Sequence, residues 1–451
     1  MRKQALIIAV CYVGITSAQK AGVSCNMPPL EATDSTVTVL KEVEVSSARK
    51  SKTVRSVTPF QKIDSRQLEN RGVTDISDAI RRLAGTNLRD YGGAGGMKTV
   101  SVRGLGTTHT AVVYDGVALS DSQTGEIDLS RYSLDNVSSI SLFSGENEDI
   151  FLPARASAAS NSLFINSFNR PDFYDDGLRG KGQFTIGGYG YYNPFLRLEG
   201  RVGSVELSGN AEYIHARNDY PFKLKNGNII TREKRQNSQM NLWKGEINAR
   251  WRIRSDASLA GKVYFYDNSR HLPGPVIYYV TESNERLRER NYFGQLNFRS
   301  RLHDKISISA IAKFNWSSTR YQDEAGKYPG GRLDDYYIQR EVYASGALLY
   351  LPIEGLSLDY SADWFLNNLT SASSRNAVSP YRNGILQSIA AKYNAGKFSF
   401  LGKLLYSVYL NGAKSGDAGK DCNRLSPSFG ITWKPFAQTG FFVRASYKNI
   451  F

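Results

Sequence analysis

The 451 residues exceed the length of an average single domain, so more than one folding unit is expected. Charged residues make up 22%, mean hydropathy is negative, and beyond the N-terminus no apolar run reaches the ~18 residues of a helical membrane span; this excludes helical spans but not a membrane β-barrel, whose strands alternate. The net charge of +15 would suit nucleic acid, but the basic residues are spread over alternating segments and form no single stripe, so nucleic acid is set aside as a partner. A basic barrel interior or rim that attracts anionic ligands or lipopolysaccharide fits the same charge, as does a bland positive surface.

In chain order, Arg2 and Lys3 precede the apolar run Ala5–Ile15, and Thr16, Ser17 and Ala18 are small. That is the pattern of a secretory signal peptide over residues 1–18, and it implies export. Residues 19–58 read as a flexible N-terminal segment containing one short alternating stretch: Leu40, Lys41, Glu42, Val43, Glu44, Val45, Ser46. Its backbone has nothing local to pair with, which suits it to augment the edge of a partner's sheet.

Residues 59–168 alternate short strands and helices. Asp64 or Ser65 is placed to cap one helix, and Thr74 or Asp75 the next, which carries Ile76, Ile80 and Leu83 at helical spacing and stops at Gly85. The stretch from Lys98 to Val117 reads as strand, glycine turn, strand and Asp-Gly turn, with Arg103-Gly104 and Asp115-Gly116 as its punctuation. Two side-chain-poor or polar loops flank it, Tyr91–Gly96 and Asp121–Glu126. The first lacks the spacing and the following helix of a nucleotide cradle.

From residue 169 onward the character changes. Val205–Tyr213, Ile306–Trp316, Leu356–Leu366 and Phe398–Leu410 alternate apolar and polar residues, and several runs reach the ~9–11 residues of a tilted membrane strand. Short turns at Gly203-Ser204, Ser255-Asp256, His303-Asp304, Glu354-Gly355, Ala395-Gly396 and Ala437-Gln438 alternate with longer polar loops. Those loops span Asn218–Arg235, Arg270–Arg290, Gln322–Asp335, Ala372–Arg382 and Ala413–Asn423. A soluble two-sheet fold has no reason to produce this asymmetry; an outer-membrane barrel has. About thirteen strands are expected; plugged barrels use about 22, so the barrel over 169–451 is expected to be partial. The fold class is therefore mainly β: a partial transmembrane antiparallel barrel with an N-terminal α+β domain, which the resemblance given next implies lies inside it.

The paired Arg-Gly and Asp-Gly turns, preceded by Val73–Gly85 and followed by Leu134–Gly145, resemble the plug domain of the TonB-dependent outer-membrane receptors. Small residues in Leu152–Asn166 replace the glycines common in the family, which puts the turn geometry there in question. The resemblance implies outer-membrane localisation in a Gram-negative bacterium, outer-membrane lipid around the barrel, and active import of a scarce large nutrient. It makes Leu40–Ser46 the TonB box, bound by the energy-coupling protein TonB. It makes Arg103, Gly104, Asp115 and Gly116 a structural motif, with charged plug residues such as Arg103 expected to pair with acidic residues of the barrel wall. Tyr91, Gly92, Gly93, Asp121, Ser122, Gln123 and Thr124 become neighbouring ligand-contact residues at the plug apex. The absence of an extra N-terminal domain is similar to the cobalamin transporters, so a corrinoid is the first expected ligand, with ferric siderophore or haem next.

Other readings are a passive gated channel and a barrel enzyme. No GxSxG elbow or HExxH supports an enzyme. Three separated cysteines (Cys11, Cys25, Cys422) and four scattered histidines (His109, His215, His271, His303) give neither a disulfide framework nor metal-ligand spacing, and no cofactor is expected.

Overall fold

Strands of two different lengths organise the chain. A computed structural model describes residues 60–449, apart from 71, 74, 93–94, 168–176, 277–282, 325–327, 329, 373–378 and 437–441. The signal peptide, Leu40–Ser46, Thr74, Gly93 and the Ala437-Gln438 turn lie outside the described residues.

The first unit has strands of two to eight residues. Its central sheet joins β1 (Phe60–Asp64), β6 (Val137–Ser144), β7 (Asn161–Ser167), β4 (Thr110–Tyr114) and β5 (Val117–Ala118) in that order; β2 (Thr86–Asp90) and β3 (Lys98–Val102) form a separate hairpin. Helix α1 (Ser65–Asn70) starts where Asp64 accepts from the Gln67 amide at 2.9 Å while the Gln67 side chain returns to the Asp64 amide, a reciprocal cap. Helix α2 (Ile76–Ile80) is capped by Asp75, which accepts from the Asp78 amide. It ends at Ile80, and the chain turns through Leu83 to Gly85 (φ 81°). The core is Ile76, Ile80, Val102, Val112, Ile140, Leu142, Leu163 and Ile165, all buried.

The second unit is one antiparallel sheet of thirteen strands of up to nineteen residues. Its first three strands are β8 (Gly177–Ile186), β9 (Tyr192–Val202) and β10 (Val205–Ala216). A small hairpin, β11 (Pro221–Asn226) with β12 (Ile229–Lys234), stands in the next loop. The wall resumes with β13 (Met240–Arg254), β14 (Ala257–Leu272), β15 (Glu285–His303), β16 (Ile306–Asp323) and β17 (Leu333–Tyr350). It continues through β18 (Leu356–Ala372), β19 (Pro380–Ala395), β20 (Phe398–Ala413), β21 (Cys422–Trp433) and β22 (Val443–Lys448). Each wall strand pairs with its sequence neighbour apart from the inserted hairpin, as a meander must.

This wall curves around the first unit. Asp135 binds Lys181 on β8, and Glu146 binds Lys448 on β22, so the inner unit touches both edge strands and, through pairs given below, the wall between them. The pleat sorts the residues accordingly. On β13 and β14, Leu242, Lys244, Glu246, Lys262, Tyr264 and Tyr266 face inward and are buried, while Trp243, Ile247, Trp251, Val263 and Phe265 face outward and are exposed. Trp243 and Trp251 bound the apolar outer stretch of β13. Eight residues at about 3.3 Å each, tilted by ~40°, separate the two rings by roughly 20 Å, close to the height of a barrel's apolar band between its aromatic girdles.

Two loops differ from expectation. Asn218–Arg235 holds the β11–β12 hairpin, with Asn226 paired to Ile229 and the turn made by Gly227 (φ 58°) and Asn228; its lysines and arginines mask a Gly-Asn hairpin signal. The loop expected over Arg270–Arg290 shrinks to the residues between Leu272 and Glu285, because Glu285–Arg290 is strand. A strand that rises past the membrane into water has no apolar face to betray it.

Candidate functional site

The Arg-Gly and Asp-Gly turns have the same geometry and different uses. Arg103 (φ 54°) and Gly104 (φ 75°) are both left-handed, and the Leu105 amide closes the turn on the Val102 carbonyl at 3.1 Å. Asp115 (φ 46°) and Gly116 (φ 86°) repeat this between β4 and β5, with Tyr114 opposite Val117. Two successive positive φ values define the primed hairpin turn, which asks for Asn, Asp or Gly; Arg103 holds the conformation at a steric cost.

Asp115 is where the inner unit meets the wall. One carboxylate oxygen accepts from the Ser167 amide at 2.8 Å and the other from Lys262 Nζ on β14. Lys262 also donates to Glu246 Oε2 on β13 at 2.9 Å and to Ser167 Oγ, and lies 4.3 Å from the centroid of the Tyr114 ring. Glu246 in turn accepts from the Tyr114 hydroxyl at 2.7 Å, from Asn136 and from Asn248. Burial, then the neighbouring Glu246 charge, pushes the Tyr114 hydroxyl well above its usual range, so it stays a donor. Lys262 and Glu246 are 6% and 2% exposed, so the ammonium and the wall carboxylate are buried, while Asp115 is half-buried at the edge of a cavity.

Three further seats surround it. Arg155 donates to Glu341 Oε2 on β17 at 2.8 Å, its amide to Asp363 on β18 at 2.7 Å, and its guanidinium stacks 4.3 Å over Phe365. Burial alone would lower the guanidinium's pKa; the adjacent Glu341 outweighs it and raises it. Arg131 meets Glu289 on β15 at 3.4 Å, beside Arg270. Glu146 sits between Lys448 at 2.9 Å and Lys403 at 3.8 Å.

Glu146 carries a pH prediction. Burial would raise its carboxyl pKa, but Lys403 and then Lys448 hold it below the ordinary range. The folded value lies below the unfolded one, so its contribution is complete above the unfolded value of about 4.3 and is lost as pH falls through the folded value. Acidification below pH ~4 should therefore loosen the seat of Glu146 against β20 and β22, read as faster amide exchange across β6 and β7. Glu146→Gln should remove that acid-dependent step.

Arg103, expected to reach the wall, does not. It is exposed, and among the described residues no ion pair of its side chain is found. The wall pairing falls to Asp115. The sequence pointed to both turns but not to which of their charges reaches the wall. The Arg103 turn instead adjoins the Asp121 loop: Thr107 donates to Glu126, and Thr108 lies against Gly125.

The remaining sequence-predicted residues lie in two loops. Asp121 Oδ1 gathers the amides of Gln123 and Thr124 and the Thr124 hydroxyl. Asp121 Oδ2 accepts from Gln339 on β17 at 3.1 Å, and the Ser122 amide donates back to Gln339 at 2.6 Å. This ties the loop to the wall and leaves Ser122, Gln123 and Thr124 exposed. In the other loop, Tyr91 and Gly92 are exposed. Its Gly95 carbonyl accepts from Arg270 at 2.8 Å and Asn268 at 3.2 Å, both near the long-loop end of β14. The structure thus anchors both loops in the long-loop half of the wall, one on β14 and one on β17, several strands apart. It brings the Asp121 loop together with Arg103–His109, which the sequence had not grouped with it. By contrast, Phe60 and Lys62 line a cavity of about 530 Å³ with Glu206, Ser258 and Arg299, toward the short-turn end.

Among the described residues no cluster of His, Cys, Asp and Glu is arranged to hold a metal ion. The sequence model of the TonB-dependent receptor plug domain matches residues 49–151. Among solved structures, the FrpB iron transporter from Neisseria meningitidis superposes with a TM-score of 0.69 at 13% identity over 86% of this chain and 63% of that one. The copper transporter OprC gives 0.67 at 11% identity over 86% and 62%. The ferripyoverdine receptor of the outer membrane of Pseudomonas aeruginosa gives 0.68 at 11% identity over 88% and 57%. The chain thus spans about three fifths of the length of these structures, and at such identities the likeness is one of fold. Residues 49–151 thus carry the sequence of a TonB-dependent receptor plug domain, and the wall around it has the barrel fold of these solved transporters and receptors.

Proposed function

We propose that this chain works in the outer membrane of a Gram-negative bacterium, binds a scarce metal-bearing nutrient on its long-loop face, and imports it when TonB pulls on the plug. One observation carries the reading. The plug is held to the wall by buried ion pairs, with exposed polar loops at the long-loop end and its first described strand at the short-turn end. A seat made of ion pairs is stable while complete and costly when half broken, which suits a stopper moved only by applied force. The iron, copper and ferripyoverdine proteins of the same fold support a metal or metal chelate as ligand; a corrinoid, the first expectation from sequence, belongs to that class. TonB is the proposed partner, with Leu40–Ser46 as the strand it pairs with. The chain is proposed to carry out transport and no bond chemistry.

Leu40→Pro removes no ligand contact and spoils strand pairing at the box. Uptake by cells should fall to the level of a strain without TonB, while ligand binding to the purified protein stays unchanged. Uptake that survives this substitution, or that survives collapse of the proton gradient, would favour a passive channel. Isothermal titration with cobalamin, haem, ferric chelates and cupric ion identifies the ligand. Asp121→Ala, which removes the acceptor that folds the Ser122–Thr124 loop and one of its two bonds to Gln339 on β17, should weaken the binding of whichever ligand is found by about three- to tenfold.

A further inference from the structure

On the outer face of the wall, above the girdle, lies a depression of about 490 Å³ lined by Arg288, Arg290, Ser318, Arg320, Asp334 and Tyr336. Its side of the sheet follows from the pleat. Glu289 and Asn291 on β15 face inward and are buried, so Arg288 and Arg290 between and beside them face out. Arg290 pairs across the sheet with Ser318, and Arg288 with Arg320, on the same outward row. The next outward pair toward the membrane is Tyr292 opposite Trp316, rings stacked at 5.4 Å. Stacked Tyr and Trp on the outside of a barrel mark the interface between hydrocarbon and headgroups. The arginines therefore stand two and four residues above that level, where lipid headgroups lie.

The charges are held in position. Asp267 accepts from Arg288 at 2.9 Å and from Arg290 at 3.3 Å, and Asp334 accepts from both ends of the Arg320 fork at 2.9 and 2.6 Å. These contacts orient the guanidinium groups and use only some of the five N–H donors that each carries. Arg286 and Arg340 lie on the same outward rows, so five arginines face two carboxylates here. The excess is positive, and Arg288, Arg290 and Arg320 line the depression. A nutrient entering the lumen does not reach this face, because the wall stands between.

We propose that this depression binds the phosphorylated headgroup of an outer-leaflet lipid, each phosphate taken by guanidinium forks whose planar donors match its oxygens. The site rests on the membrane reading of the wall and is independent of import.

The test uses the full chain in nanodiscs containing phosphorylated lipid A or its dephosphorylated form, with lipid retained per protein read by native mass spectrometry. The wild-type protein should retain phosphorylated lipid A. The variant Arg288→Gln/Arg290→Gln/Arg320→Gln should retain at least about tenfold less, since each lost bond to a charged group is worth about 1.5–3 kcal/mol. Dephosphorylated lipid A should be held weakly by both. Arg→Lys at the same three positions keeps the charge without the forks and should be intermediate; it also serves if the Gln variant does not fold. Lys223→Gln/Lys225→Gln on the rim hairpin should retain lipid like wild type. Equal retention by the Arg→Gln variant, or an equal loss in the rim variant, would overturn the proposal. Displacement of lipid A by an equal concentration of inorganic phosphate would make this a free-anion site and overturn the lipid assignment. Leu40→Pro should leave retention unchanged, which separates failure of this site from failure of the import reading.

Discussion

Lys262→Met should unseat the plug at a cost of about 3–5 kcal/mol, the usual penalty for stranding buried charge by removing its partner. The effect is expected to be large because one ammonium, itself buried, answers two carboxylates, Asp115 from the plug and the buried Glu246 from the wall. Without it the two acids face each other, and both lose stabilisation at neutral pH. Asp115→Asn should cost less. Asn keeps the left-handed turn, and Lys262 keeps Glu246. The measurement is the urea midpoint of plug release, followed by protease sensitivity of the β4–β5 turn in detergent. Equal costs for the two substitutions would show that the turn, and not the charge pair, holds the seat. Partial recovery in Lys262→Met/Glu246→Gln, which removes one stranded acid, is the companion result.

Gly384→Val should disturb a different seat through packing alone. Gly384 on β19 lies beneath the Phe365 ring of β18, and a Cβ there would overlap that ring. Phe365 is 3% exposed and carries the Arg155 guanidinium on its face, so a shift of the ring disturbs the plug's guanidinium contact to Glu341. Overpacking of this kind costs typically about 1–3 kcal/mol, and a loosened Arg155 adds to it. The expected readout is a lower thermal midpoint together with faster amide exchange at Ala154–Ser157. Pairing the change with Phe365→Ala should recover part of the midpoint, because the new side chain fills the vacated space. If the double variant is worse than either single one, the glycine is not there to admit the ring.

Much of the fold was legible because its signals are local. The pleat has a period of two, so Val205–Tyr213 or Leu356–Leu366 announces a strand with one wet and one dry face from the residues alone. Asp64 and Asp75 announce their helices by capping geometry, and Asp115-Gly116 announces a primed turn because few residues tolerate it. What misled was charge. Glu285–Arg290 looked like a loop because a strand above the membrane has no apolar face, and Arg103 looked like a wall contact because it is the conspicuous charge of its motif.

The sequence by itself determined the two-unit order, the alternation of short turns with long loops and the turn chemistry of the plug. Each depends on steric preference or periodicity within about ten residues of chain. Only the tertiary structure decided which charges are buried together. Asp115 and Lys262 are 147 residues apart, and Arg155 and Glu341 are 186. No local rule reaches that far: the pleat says that Lys262 faces inward, but its partner depends on how a separately folded sheet sits inside the curved wall. The same holds for the outer arginines, whose cluster exists because four neighbouring strands align in register at the height of the headgroups.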